Sequence, residues 1–91
     1  MTTKLGPEQF HDPRQHLWVG FMRQCERAAR EYGLVSRPIC ITGAAGIRGR
    51  RGPLHVHWVG QWSLIQDAHG IAESIQYLKD RGEDIVETHH R

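Results

Sequence analysis

Three arginines stand on one glycine-rich run, Gly46-Ile47-Arg48-Gly49-Arg50-Arg51-Gly52-Pro53. Arginine carries a planar fork of donors matched to phosphate and carboxylate. Glycine lets a backbone come close to whatever binds. Arg48, Arg50 and Arg51 are therefore the first candidates for docking onto an acidic surface. A second set, Arg23, Arg27 and Arg30, recurs at helical spacing and suits a phosphate backbone, although Glu26 and Glu31 stand among them. His55 and His57 come next. Two residues apart on a strand, their imidazoles share one sheet face about 7 Å apart, near the reach of a metal ion. His89 and His90 would add donors if the tail folds back. A metal site needs a third and a fourth ligand, and spacing supplies no nearby Cys, Asp or Glu. The expectation is thus two histidines on the wet side of a strand, with no metal and no cofactor. No Ser/His/Asp or Cys/His arrangement is legible, so the chain is expected not to be an enzyme.

The elements that must position these residues follow from periodicity. Residues 1–11 read as a flexible lead-in, and 12–91 as a single α+β domain. Asp12-Pro13 is a helix start, an N-cap followed by proline at the first helical position. Leu17, Trp18, Phe21, Met22, Cys25, Ala28, Ala29 and Tyr32 then form a broad apolar face. His16 and the arginine stripe lie opposite, Gly20 weakens the interior slightly, and Gly33 stops the helix. Pro38 to Ile47 reads as a strand, with Ile39, Ile41, Ala45 and Ile47 on one side. Leu54 to Ile65 reads as a second, with Leu54, Val56, Trp58, Trp62 and Leu64 opposite His55, His57, Gln61 and Ser63. The short connection between them implies a long antiparallel β-hairpin with the arginines at its tip. Asp67 caps a second helix running to about Arg81, with Ala68, Ile71, Ala72, Ile75 and Leu78 as its stripe and Gly82 as its end. Asp84 to His89 adds a short edge strand. Helix, hairpin, helix and edge strand make two helices on one face of a small antiparallel sheet.

Two short stretches resemble known families. Thr42-Gly43-Ala44-Ala45-Gly46-Ile47-Arg48-Gly49 resembles the nucleotide fingerprint of short-chain dehydrogenases, which implies a helix directly after the glycines to hold pyrophosphate. Arg50-Arg51-Gly52-Pro53 and a strand pattern stand there instead. Gly52-Pro53-Leu54-His55 is similar to the G-P-x-H segment of double-stranded-RNA-binding domains. That family opens its last helix with a basic segment, where this chain has Asp67-Ala68-His69-Gly70-Ile71.

Charge is divided along the chain. The net charge is +2, but residues 1–53 hold nine Lys/Arg against four Asp/Glu, and residues 54–91 hold three against six. A basic first part suits an acidic macromolecule, nucleic acid or nucleoprotein. The expected function is a non-enzymatic binding module docking its Gly/Arg tip there. A small protein-binding inhibitor or adaptor, of the kind phages and mobile elements encode, is the alternative. A metal-dependent enzyme using His55 and His57 comes third. Cys25 and Cys40 read as reduced thiols and the chain as cytoplasmic, with no membrane span. A free hairpin edge and three tryptophans invite a homodimer.

Overall fold

The computed structural model describes residues 14–33 and 37–90. Its first element is a strand, β1 (Gln15–Val19), followed by helix α1 (Met22–Tyr32) and strand β2 (Ile39–Ile41). Strand β3 (Leu54–Val59), helix α2 (Ala68–Asp80) and strand β4 (Ile85–His90) complete the chain, with single 3-10 turns at Ala44–Gly46 and Trp62–Leu64. The sheet order is β2-β1-β3-β4, and every pairing is parallel.

This corrects the expected antiparallel hairpin. β2 and β3 never pair, because β1 lies between them. The error begins at residues 15–19, whose apolar positions fit helical spacing as well as a strand. Leu17, Trp18 and Val19 are all fully buried, which a central strand with both faces covered requires. Gly20 then breaks the run at φ +155°, where a Cβ would stand 2.8 Å from the Val59 carbonyl oxygen. Glycine is needed there because the ends of β1 and β3 approach so closely. Helix α1 therefore starts later than expected and loses Leu17 and Trp18 from its face. It keeps Cys25, Ala28, Ala29 and Tyr32, while Phe21 and Met22 are exposed. Gly33 ends it as expected, with φ +105° and its N–H on the carbonyls of Ala29 and Arg30. The expected lead-in at 1–11 and the Asp12-Pro13 start lie outside the described residues.

Parallel strands of one sheet need crossovers of a dozen residues or so, and residues 42–53 provide the one that carries the chain from β2 past β1 to β3. The chain leaves β2 and returns to the start of β3 across the face that α2 covers. Ile47 is buried there among Ile71, Ile75 and Leu78 of α2. Helix α1 covers the opposite face. This is the arrangement that right-handed crossovers running outward in both directions from the centre of a sheet must give.

The second half matches expectation more closely. α2 buries Ala68, Ile71, Ile75 and Leu78, and β4 forms the edge beside β3. The strand from Leu54 ends at Val59 rather than Ile65, yet Trp62 still packs against Trp58, with ring centroids 4.3 Å apart and planes tilted by 48°. Asp67 makes no side-chain cap. Its carboxylate instead accepts the Ala44 N–H at 2.7 Å, tying α2 to the glycine-rich segment. That segment is a 3-10 turn, so it lacks the long helix that the dehydrogenase resemblance implies.

Candidate metal centre

The alternation of side chains along each strand sends His16 and Trp18 of β1 to the α1 face of the sheet. His55, His57 and Val59 of β3 follow them, as do Val86, Thr88 and His90 of β4. The parallel register pairs His16 with His55, His57 with Thr88, and Val59 with His90. The side chains then bond one step along the diagonal. His16 Nδ1 lies 2.9 Å from His57 Nε2, and His57 Nδ1 lies 2.8 Å from His90 Nε2. His55 Nε2 lies 2.7 Å from Thr88 Oγ1. All three contacts join a residue to the position two beyond its register partner, the reach expected of long side chains across a pleated sheet. Three strands thus contribute to one connected polar row.

Aromatic rings hold this row in place. The indole of Trp18 stacks flat under His57, with centroids 3.7 Å apart and planes 7° apart. His55 stacks on His57 at 4.1 Å. Tyr32, the last residue of α1, stands nearly edge-on to His57 at 5.0 Å and 5.7 Å from His16.

The expected wet face is thereby overturned. His57 is fully buried and His55 is 9% exposed. Burial, reinforced by the neighbouring His55, His16 and His90 rings, drives the His57 pKa down to about 2. Burial also lowers that of His90, with His89 adding to the effect and Glu31 opposing it. His57 is therefore a neutral imidazole at any ordinary pH, the form that coordinates a metal. One nitrogen from each of His16, His55 and His57 lies within 4.8 Å of the other two. Three imidazoles without thiolate or carboxylate suit zinc and its divalent neighbours cobalt, nickel and copper. Three protein ligands also leave a fourth position for water or another ligand.

The arginines are not gathered at this centre. Arg50 is half-buried and committed to structure. Its Nε donates to the Gly46 carbonyl at 2.6 Å and its Nη1 to Gln15 Oε1 at 2.8 Å. Arg51 is exposed. Arg48 lines a cavity of about 540 Å³ with Gly49 and, from the α2 side, Glu73, Ser74, Tyr77 and Arg81. Arg23, Arg27 and Arg30 are exposed on α1, where Arg27 faces Glu31 at 3.8 Å. Because α1 and the 42–53 crossover cover opposite faces of the sheet, the two arginine sets do not form one surface.

Of the expected metal-ligand positions, His55 and His57 are both in the cluster. His90 reaches it through β4, while His89 points to the other face beside Trp58. His16, Thr88, Trp18 and Tyr32 were not anticipated as part of a site. The available signal was the phase of Gln15–Val19 read as a strand, which puts His16 and Trp18 on one side. Comparison with protein-family models, with curated proteins and with solved structures finds no match. The functional reading therefore rests on this geometry.

Proposed function

We propose that this chain is a metal-binding domain that holds one divalent transition-metal ion, of the zinc class, on His16, His55 and His57. The observation that carries the reading is the convergence of three imidazole nitrogens from two adjacent strands within 4.8 Å. The neutrality of the buried His57 supports it, since no proton has to leave that ring before a metal enters. A cytoplasmic setting accompanies the proposal. Cys25 and Cys40 are free thiols although their side chains are close enough to hydrogen-bond, which suits a reducing compartment. No helix among the described residues is long and apolar enough to cross a membrane.

Titration of metal-free protein with Co²⁺, followed by Zn²⁺ displacement, tests the reading. One equivalent should bind, with the visible absorption of a four-coordinate site. His16→Ala and His57→Ala should each weaken binding at least a hundredfold. His69→Ala should not, since His69 is exposed on α2 and pairs with Glu73. A metal at a hundred times its Kd should also stabilise the fold by about 2.7 kcal/mol. No uptake, or uptake indifferent to His16 and His57, would leave the histidine row as a hydrogen-bonded filler of a polar core.

A second reading has its own support. Arg48 makes no ion pair among the described residues, and it shares its cavity with Arg81. With the exposed Arg51 these cations fit a nucleic-acid phosphate backbone on the α2 side. Binding of this kind falls steeply with salt, and Arg48→Ala should weaken it where Arg23→Ala does not.

A further inference from the structure

His57 uses both ring nitrogens, Nε2 towards His16 and Nδ1 towards His90. A neutral imidazole carries one proton. The ring must therefore donate along one of these bonds and accept along the other, and the chain His16–His57–His90 has two directions. In one, the His57 proton sits on Nε2 and points at His16, which covers the lone pair a metal would need. In the other, the proton sits on Nδ1 and is donated to His90 Nε2, which leaves the Nε2 lone pair facing His16. Only the second direction is compatible with His57 as a ligand. It requires an acceptor beside Nδ1, and His90 supplies it from the edge strand.

Resting on the metal reading, we propose that His90 is a positioning residue: it accepts the Nδ1 proton of His57 and so selects the tautomer that binds metal through Nε2. The role needs no contact between His90 and the ion. A metal-bound histidine commonly donates its outer N–H in this way, and removing the acceptor weakens metal binding about 10–100-fold. In this protein the demand is sharp because His57 is fully buried. Water has no ready access to replace the missing acceptor, and an unpaired N–H in that setting is costly. Gly60 donates its N–H to the His90 carbonyl at 2.9 Å. The backbone at the end of β4 is thus held independently of the side chain, and a substitution at 90 removes the ring without unpairing the strand.

Two readouts on full-length protein test the proposal. The first needs no metal: long-range nitrogen–proton NMR correlations on ¹⁵N-histidine-labelled protein report which nitrogen of His57 carries the proton. His90→Ala should move the population towards Nε2–H, and His90→Gln, whose amide oxygen can accept near the same point, should keep Nδ1–H. The second is Co²⁺ affinity. His90→Ala should weaken it about 10–100-fold, His90→Gln should stay within about threefold of wild type, and His89→Ala on the other face should change nothing. Should His90→Ala fail to fold, His90→Asn replaces it, because its amide stops short of His57. An unshifted tautomer in the alanine variant, or wild-type Co²⁺ affinity in that variant, overturns the proposal. Wild-type protein that takes up no Co²⁺ overturns the metal reading itself, and the tautomer measurement then still decides whether His90 sets the state of His57.

Discussion

On the α2 side of the sheet, Leu17, Val19, Ile41, Leu54, Val56 and Trp58 meet Ile47 and the Ile71, Ile75 and Leu78 stripe of α2. On the α1 side, strands β1, β3 and β4 present His16, Trp18, His55, His57 and His90, met by Cys25, Ala28, Ala29 and Tyr32. The two buried tryptophans show the contrast most directly. Trp58 donates its indole N–H to Glu87 at 2.8 Å. Burial pushes the Glu87 carboxyl up, but hydrogen bonds from Lys79 and Trp58 and the Lys79 charge outweigh it and hold it below its usual value. The Trp18 indole N–H has no hydrogen-bond partner among the described residues, and its ring serves as the floor beneath His57. The α2 side is an apolar core whose polar edge is satisfied. The α1 side exchanges apolar contact for a row of imidazoles, which contributes less to stability and more to chemistry.

If that division is right, the largest effect on folding comes from the α2 side. Ile71 is fully buried, and Ile71→Ala should cost about 2–5 kcal/mol in urea unfolding. A domain of this size has only about 5–15 kcal/mol in total, so the loss is a large share of it. Folded Ile71→Ala protein should nevertheless bind Co²⁺ as wild type does, because the histidine row faces the other way. A loss under about 1 kcal/mol would show that α2 does not carry the core.

The α1 side should reveal itself in acid. The folded-state pKa of His57 is about 2, against about 6.5 for an unfolded histidine. Between those values the unfolded chain binds a proton that the folded chain refuses, so stability rises with pH in this window and falls as pH drops below about 6.5. For metal-free protein the expected loss from His57 is about 2 kcal/mol between pH 7 and pH 5. His90, whose pKa is also lowered by burial, acts in the same direction. The check is a series of urea midpoints across that range, with His57→Gln as the variant that should flatten it. A flat wild-type profile would mean that the row is open to water and is not the dry site described above.

The difference between the two sides also explains what the sequence could tell. Helix α2 was legible because Ala68, Ile71, Ala72, Ile75 and Leu78 repeat on one stripe with a polar opposite face, and β4 because Ile85 and Val86 follow a helix-ending glycine. The sides of the β3 residues from Leu54 to Trp58 were legible too, since His57 and Trp58 do lie on opposite faces. The environment of the histidine side was not. A polar residue at alternate positions normally marks solvent, and nothing local in β3 announces that α1 and β1 side chains close over it. β1 was hidden for a related reason. A five-residue strand buried on both faces has no clean polar alternation, and Leu17, Trp18, Phe21, Met22 and Cys25 satisfy a helical pattern equally well. Once β1 is missed, β2 and β3 become neighbours by default and a hairpin is the shortest connection. Parallel pairing leaves no turn signature to correct the error, because its partners are distant in sequence.

The smallest expected effect separates three arginines that look equivalent as a string. Arg50 links the crossover to β1 by two hydrogen bonds, to the Gly46 carbonyl and to Gln15 Oε1, whereas Arg48 and Arg51 are exposed. Arg50→Ala should therefore cost about 1 kcal/mol, the usual net worth of such contacts at a half-open site. Arg48→Ala and Arg51→Ala should each stay within about 0.5 kcal/mol. Thermal melts of the three single variants decide it, since 1 kcal/mol shifts Tm by about 4–8 °C in a domain this small. The order also bears on binding by the α2 side. If nucleic acid binds there through solvent-facing cations, Arg48→Ala and Arg51→Ala should reduce affinity and its salt slope while leaving Tm unchanged, and Arg50→Ala should do the reverse. Equal stability losses in all three would mean that the crossover is held by the whole arginine run. Equal binding losses with no change in Tm would mean that Arg50 leaves Gln15 to join the other two, and the crossover would then be a docking element after all, though one that passes over a parallel sheet and not the tip of a hairpin.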